Sequence, residues 1–211
     1  MYLQEKMQFC FNFFKKNRNF FLLKISPIKF KILIMNLYVI QVKTGKEDTY
    51  IKLWERKKGH LPLKIFWLRK ELMIRKNGHT HKGLKSIFPG YLFLEAEEID
   101  PDTFQEFRHI NYFSRFLKAD KTICPLPLDE AKRIYELAKY GRVIGQSKVI
   151  YNEQDRIVVI DGPMKGLEGQ IIKVDRRKKR AKVRFSLYNN PYPIDLGFEV
   201  LEVSEGAENV G

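Results

Sequence analysis

The chain has 211 residues, with 39 lysines and arginines against 25 acidic residues, a formal net charge of +14 and a pI near 9.7. That length accommodates one large or two small domains, and such a charge asks for an anionic partner. Two cysteines, Cys10 and Cys124, are too few and too isolated for a disulfide framework or a zinc site; a reducing cytoplasm is the expected compartment, and no apolar run is long enough to span a bilayer.

Residues 1–34 carry seven basic residues against Glu5, and lysines and Arg18 interrupt the aromatic runs Phe9–Phe14 and Phe20–Leu23. A secretory signal would place its charge before an unbroken apolar core and end in small residues, which this segment does not do. It is expected to be a disordered extension or the product of a start codon assigned too far upstream, with a basic amphipathic membrane anchor as the alternative.

Leu37–Val42 reads as a short strand. From Lys46 a helical spacing sets Tyr50, Leu53 and Trp54 on one face, with Gly59 as the C-terminal cap. Ile65–Leu68 and Glu71–Arg75 read as strands, His79–Lys85 as a polar loop, and Phe88–Leu94 as a strand too continuously apolar to be half exposed. Asp100-Pro101 predicts an N-cap followed by proline at the first helical position, with Phe104 and Phe107 sharing a face. Phe113–Leu117 is a further strand, and Asp129 caps a helix carrying Ile134, Tyr135 and Ala138. The alternation predicts an α+β sandwich, helices on one face of a mostly antiparallel sheet. Residues 141–152, with Gly145, Gln146 and Ser147 and little periodicity, read as a flexible linker. The remaining stretch of about fifty residues, with short strands and glycine turns, fits a small β-barrel.

Positive charge concentrates in this second module. Residues 157–184 hold nine lysines and arginines against Asp161, Glu168 and Asp175. Five of the nine, Arg176-Arg177-Lys178-Lys179-Arg180, are consecutive and fall where two apolar runs meet, so they are placed on a hairpin tip or its flank. Basic side chains supply affinity for phosphates, while sequence or shape must be read by other groups. Lys165, Lys173 and Lys182 extend the set. Tyr188, Asn189, Asn190 and Tyr192 lie in the following loop, where an aromatic ring is placed to stack on an unpaired base and an amide to read its edge. The competing reading is a solvated cationic face with no fixed partner.

Catalytic signals are few. His60, His79, His81 and His109 are the only histidines, and none shares a motif with a cysteine or a pair of acids. His79 and His81 flank Thr80 with a spacing that seats one edge of a metal, but no further ligands are in register, so two exposed histidines is the plainer reading. There is no phosphate-cradling loop and no nucleophile elbow. No enzymatic activity and no cofactor are expected.

Three motifs resemble the NusG family of transcription elongation factors. Val159-Ile160-Asp161-Gly162-Pro163-Met164-Lys165-Gly166-Leu167-Glu168-Gly169 resembles its KOW module, Ile87-Phe88-Pro89-Gly90-Tyr91-Leu92-Phe93-Leu94-Glu95 the signature strand of its amino-terminal (NGN) domain, and Leu37-Tyr38-Val39-Ile40-Gln41-Val42-Lys43-Thr44-Gly45-Lys46-Glu47 its opening strand and helix. The resemblance implies an NGN α/β sandwich over 35–140, a linker over 141–152, an SH3-like KOW β-barrel over 153–203 and a tail over 204–211. It also implies that Phe88, Pro89, Tyr91 and Phe93, supported by Tyr38, form an apolar depression that receives the clamp helices of RNA polymerase. Such a groove docks a helix tip by excluding water.

Two departures from the housekeeping pattern stand out. Tyr188-Asn189-Asn190 replaces the usual Phe-Gly-Arg loop, which contacts ribosomal protein and termination factor. The stretch Lys173–Ala181, followed by Gly197-Phe198-Glu199-Val200-Leu201-Glu202, looks like the specialised LoaP group. That resemblance implies a cytoplasmic, monomeric antitermination factor whose KOW module recognises an RNA hairpin in the nascent transcript. The alternatives are a housekeeping NusG coupling polymerase to protein partners, a KOW-bearing ribosomal protein, and an enzyme acting on RNA.

Overall fold

The computed structural model describes residues 35–57, 63–76, 78–117 and 123–201. The expectations for the extension 1–34, for Gly59 and His60 and for the tail 204–211 lie outside them.

The first module is built on a four-stranded antiparallel sheet. Its order is β2 (Lys64–Phe66), β5 (Tyr91–Ala96), β1 (Asn36–Val42) and β6 (Phe113–Phe116). β1 and β5 pair Tyr38 with Leu94 and Val39 with Phe93, so alternate residues go to opposite faces. One face, with Tyr38, Ile40 and Val42 of β1 and Leu92, Leu94 and Ala96 of β5, packs on α1 (Glu47–Lys57) and α2 (Pro101–Arg108). Trp54 of α1 stacks on Phe107 of α2 at 4.1 Å between ring centroids, and Phe107 meets Phe116 edge-on at 5.4 Å. The other face presents Leu37, Val39 and Phe93 to α3 (Leu128–Ala138), through Ala131, Ile134 and Leu137, and to the second module.

Helix starts follow local chemistry. Asp100 caps α2, its Oδ1 accepting from the Thr103 backbone N–H at 2.7 Å, with Pro101 at the first turn. The Asp100 carboxyl is held below its ordinary pKa, first by that backbone hydrogen bond. α3 departs from expectation. Its cap position is Pro127, which makes no side-chain cap, and Asp129 lies inside the first turn, where its charge still complements the helix N-terminus.

A second difference concerns His79–Lys85, predicted as a loop. It is strand β4 (His79–Ser86), paired antiparallel with β3 (Arg69–Lys76) from Arg69↔Ser86 to Lys76↔His79. Its stabilisation comes from the backbone ladder, so the polar side chains leave no alternating signal to read.

The third difference is the linker. Residues 141–152 contain β7 (Val143–Ile144), parallel to β3, and β8 (Ser147–Tyr151), so the stretch is largely structured. Ile144 and Val149 are fully buried, which accounts for the pairing. The second module is a five-stranded sheet ordered β10 (Ile171–Asp175), β11 (Arg180–Leu187), β12 (Asn190–Val200), β8 and β9 (Ile157–Asp161). All its neighbours are antiparallel except β12 and β8, where Phe198 pairs with Ser147. Gly162 is what admits β8 so closely. At φ 101° it is in a conformation that favours glycine, and a Cβ there would lie 2.7 Å from Ser147 Cα. Ser147 Oγ, fully buried, accepts from the Met164 N–H at 2.9 Å.

Candidate polymerase and nucleic-acid interfaces

The apolar signature begins at a turn. Gly90, at φ 80°, donates its N–H to Glu47 Oε1 at 2.8 Å, and a Cβ there would lie 2.8 Å from Thr44 Oγ1. The turn tucks Phe88 under β5 and leaves Pro89 exposed. Phe88, Tyr91 and Phe93 then share one side: Phe88 meets Phe93 edge-on at 5.3 Å, and Tyr91 packs against the same cluster. Tyr38 is not with them. Its ring lies in the cluster on the opposite face of the sheet, beside Leu92 and Leu94, so the supporting role expected of it at this patch is corrected. Alternation along paired strands forces the separation, because Tyr38 is opposite Leu94 and not Phe93.

The second module covers this apolar side. Phe88 is 6.1 Å from Phe185 and 5.3 Å from Tyr192, and Tyr91 meets Tyr192 edge-on at 5.7 Å. Phe88 and Phe93 are thereby buried, and burial pushes the Tyr192 hydroxyl pKa up. Two polar attachments flank the aromatic contacts. Lys70 of β3, 7% exposed, donates to the Asp195 backbone carbonyl at 2.6 Å. Loss of solvent lowers its pKa to about 8, opposed by the Asp195 carboxylate and reinforced by the Arg180 and Lys182 charges. The Glu130 carboxylate of α3, 2% exposed, accepts from the Tyr188 N–H at 2.6 Å and the Asn189 N–H at 2.9 Å.

The loop expected to read RNA bases is therefore a latch in this arrangement. Tyr188 and Asn189 form a two-residue turn between β11 and β12, at φ 52° and 63°, the left-handed pair of a type I′ hairpin. Tyr188 is buried and its hydroxyl donates to the Cys124 carbonyl at 2.7 Å, so its ring is not available for stacking here. Asn189 and Asn190 stay exposed, with Asn190 Nδ2 donating to the Tyr188 carbonyl at 3.2 Å. Nothing local in the sequence announces Glu130 as the partner of this turn, because it stands 58 residues upstream.

The basic run does occupy a hairpin turn, between β10 and β11, with Lys179 at φ 50°. Its members differ in use. Arg176 pairs with the Asp155 carboxylate, donates to the Asp155 carbonyl at 2.9 Å and lies 4.2 Å over the Tyr151 ring, so it braces the neighbouring turn instead of projecting freely. Arg177, Lys178 and Lys179 are exposed, the Lys178 ammonium 3.6 Å from Asp175. Lys173, Asp175, Lys178, Arg180, Lys182 and Asp195 together line a cleft of about 200 Å³. Lys165 is exposed on a separate turn after Gly162. His79 and His81 are exposed on β4, and among the described residues no group of three or more histidines, cysteines and carboxylates is placed to hold a metal. No helix among them is long and apolar enough to cross a membrane.

An apolar strand face and a cationic β-hairpin are the equipment of a binding protein. Residues 35–135 match the family described as "Transcription termination factor nusG", and residues 153–184 match the KOW motif. The two matches give this chain a NusG-like NGN domain followed by a KOW module. Relatives named "Transcription termination/antitermination protein NusG" include one from Synechocystis sp., 27% identical over 61% of this chain and 67% of its own length, and one from Bacillus subtilis, 25% identical over 79% and 97%. A solved structure titled "Domain interaction in Thermotoga maritima NusG" is similar at 20% identity and a TM-score of 0.48, over 77% of this chain and 93% of that one.

Proposed function

We propose that this protein is a specialised antitermination factor of NusG type, cytoplasmic and monomeric, that binds the clamp helices of RNA polymerase with its NGN domain and a nascent RNA hairpin with its KOW module. The observation that carries the RNA half is the cluster of exposed cations at the β10–β11 turn, continuous with the cleft lined by Lys173, Lys178, Arg180 and Lys182. Four cations against the two carboxylates Asp175 and Asp195 leave this concave surface net positive, which favours a phosphate backbone over a neutral partner. The polymerase half rests on Phe88, Pro89, Tyr91 and Phe93, which share one side of the first module. Polymerase docking there requires the KOW module to move off, because Phe185 and Tyr192 occupy the same apolar surface. Docked, the protein favours the elongating state of the enzyme over paused states by binding it more tightly. A tethered RNA contact raises the effective concentration of the second interaction, so modest affinity suffices to select a transcript.

A housekeeping role is the second reading, favoured by the relatives' shared name. Crosslinking of the intact protein in its host, followed by sequencing of bound RNA, separates the two. Enrichment of a few leader hairpins upstream of long operons is the expected result. Signal spread over most transcripts in proportion to polymerase would overturn the specialised role.

A further inference from the structure

The Tyr188–Asn189 turn holds an anion already. Both residues sit in a tight turn, and their two successive N–H groups are directed at one carboxylate, so the turn is an anion-binding concavity of backbone donors. Each oxygen of the Glu130 carboxylate takes one of them. Glu130 belongs to the first module and the turn to the second, so this carboxylate occupies the concavity only while the two are closed.

The surface leading to the turn is cationic. Along β11, Ala181, Val183, Phe185 and Leu187 are buried, while Arg180, Lys182 and Arg184 alternate with them. Alternate strand residues are about 7 Å apart, so the three cations make an evenly spaced row, with Ser186 between Arg184 and the turn. Lys182 lies 3.2 Å from the Asp195 carboxylate, and Arg184 is exposed. An extended strand with one negative charge per nucleotide fits such a row.

We infer that the Tyr188–Asn189 turn is a phosphate-binding site for single-stranded RNA, occupied in the closed molecule by Glu130 acting as a substitute anion. RNA and Glu130 then compete for the same two donors. The inference rests on the RNA reading proposed above and adds a consequence to it: RNA bound along β11 displaces the α3 carboxylate, loosens the seam and uncovers Phe88, Tyr91 and Phe93. By reciprocity, whatever opens the seam strengthens RNA binding by the same factor. An acidic protein segment is the other occupant that this concavity and these cations would accept, and the test below distinguishes it from RNA.

The test uses the intact chain and a short labelled oligouridylate at low salt, comparing wild type with Glu130→Ala. Removing the competing anion should tighten binding about fivefold or more, because a closed population lowers apparent affinity by the fraction that is open. Amide hydrogen exchange supplies the site-specific readout. In Glu130→Ala the Tyr188 and Asn189 amides should exchange fast without RNA and slow down when it binds. Unchanged or weaker affinity, or amides that stay fast in the RNA complex, would overturn the inference while leaving RNA binding at the β10–β11 turn intact. If neither protein binds the oligouridylate or a hairpin RNA, the RNA reading itself fails and the inference with it. Protection of these amides by polyglutamate but not by RNA would reassign the turn to a protein partner. Should Glu130→Ala fail to fold, Glu130→Gln keeps one acceptor and should shift affinity in the same direction by less.

Discussion

The two faces of the first module's sheet are closed by different means. On one, Trp54, Phe107 and Phe116 pack from elements within about 70 residues of one another in the chain, and every contact belongs to the same module. On the other, Leu37, Val39 and Phe93 meet α3 and then residues as far along as Phe185 and Phe198, so that one apolar cluster continues from the first module into the second. Edges differ as well. The inner face has stacked rings; the shared face is ringed by Tyr91, Tyr192, Lys70 and Glu130, each keeping a polar group at its rim. Such an apolar centre with a hydrogen-bonded margin has the composition of an interface, whereas the other face has that of an interior. The same sheet thus carries one side with the make-up of an interior and one with the make-up of an interface.

Substitution should separate the two. Trp54→Ala, on the interior face, is expected to cost about 3–5 kcal/mol and to lower the thermal midpoint of the whole first module. If it instead leaves the midpoint unchanged and only frees the KOW module, the distinction between the faces fails. Tyr192→Ala should cost less, about 1–3 kcal/mol, since it removes two aromatic contacts at 5.3 and 5.7 Å. That loss should be read chiefly as faster exchange of amides along the seam and as stronger co-purification of polymerase, with the second module still folded. The smallest effect, about 1 kcal/mol per pH unit, is expected from titration. The Lys70 pKa is lowered in the closed molecule, so between about 8 and its ordinary value of 10.5 the open form binds more protons than the closed one. Closure should therefore strengthen as pH rises through that window and be insensitive to pH below it. Lys70→Met should abolish the dependence; a trend of the opposite sign would show that the ammonium, and not its deprotonated form, is what the seam prefers.

Much of this was legible in residue order, and the misses have definite causes. Asp100-Pro101 announces α2 because cap and proline act within one turn, and Ile87–Glu95 announces β5 because its apolar run is continuous. The strand at His79–Ser86 escapes because polar side chains carry no period when the backbone alone does the pairing. Tyr38 is set at the patch by the family resemblance; only the register that pairs it with Leu94 shows which side of the sheet it takes. The cations at 176–180 are identifiable as a turn, yet the pairing of Arg176 with Asp155 depends on a neighbouring turn some 20 residues away. The grip of Glu130 on the Tyr188–Asn189 turn is further still from anything a local pattern contains.

The strands β7 and β8 have a bearing on reach. Between Ile144 and Ser147 only Gly145 and Gln146 are free of strand pairing, and two extended residues span roughly 7 Å. With so short a leash the second module can rock open but cannot travel. Peeling β7 from β3 would release everything from Gly141 to Gln146 and lengthen the leash to roughly 20 Å. Two residue pairs, Arg69↔Val143 and Lys70↔Ile144, therefore set how far the second module can stand off from the first.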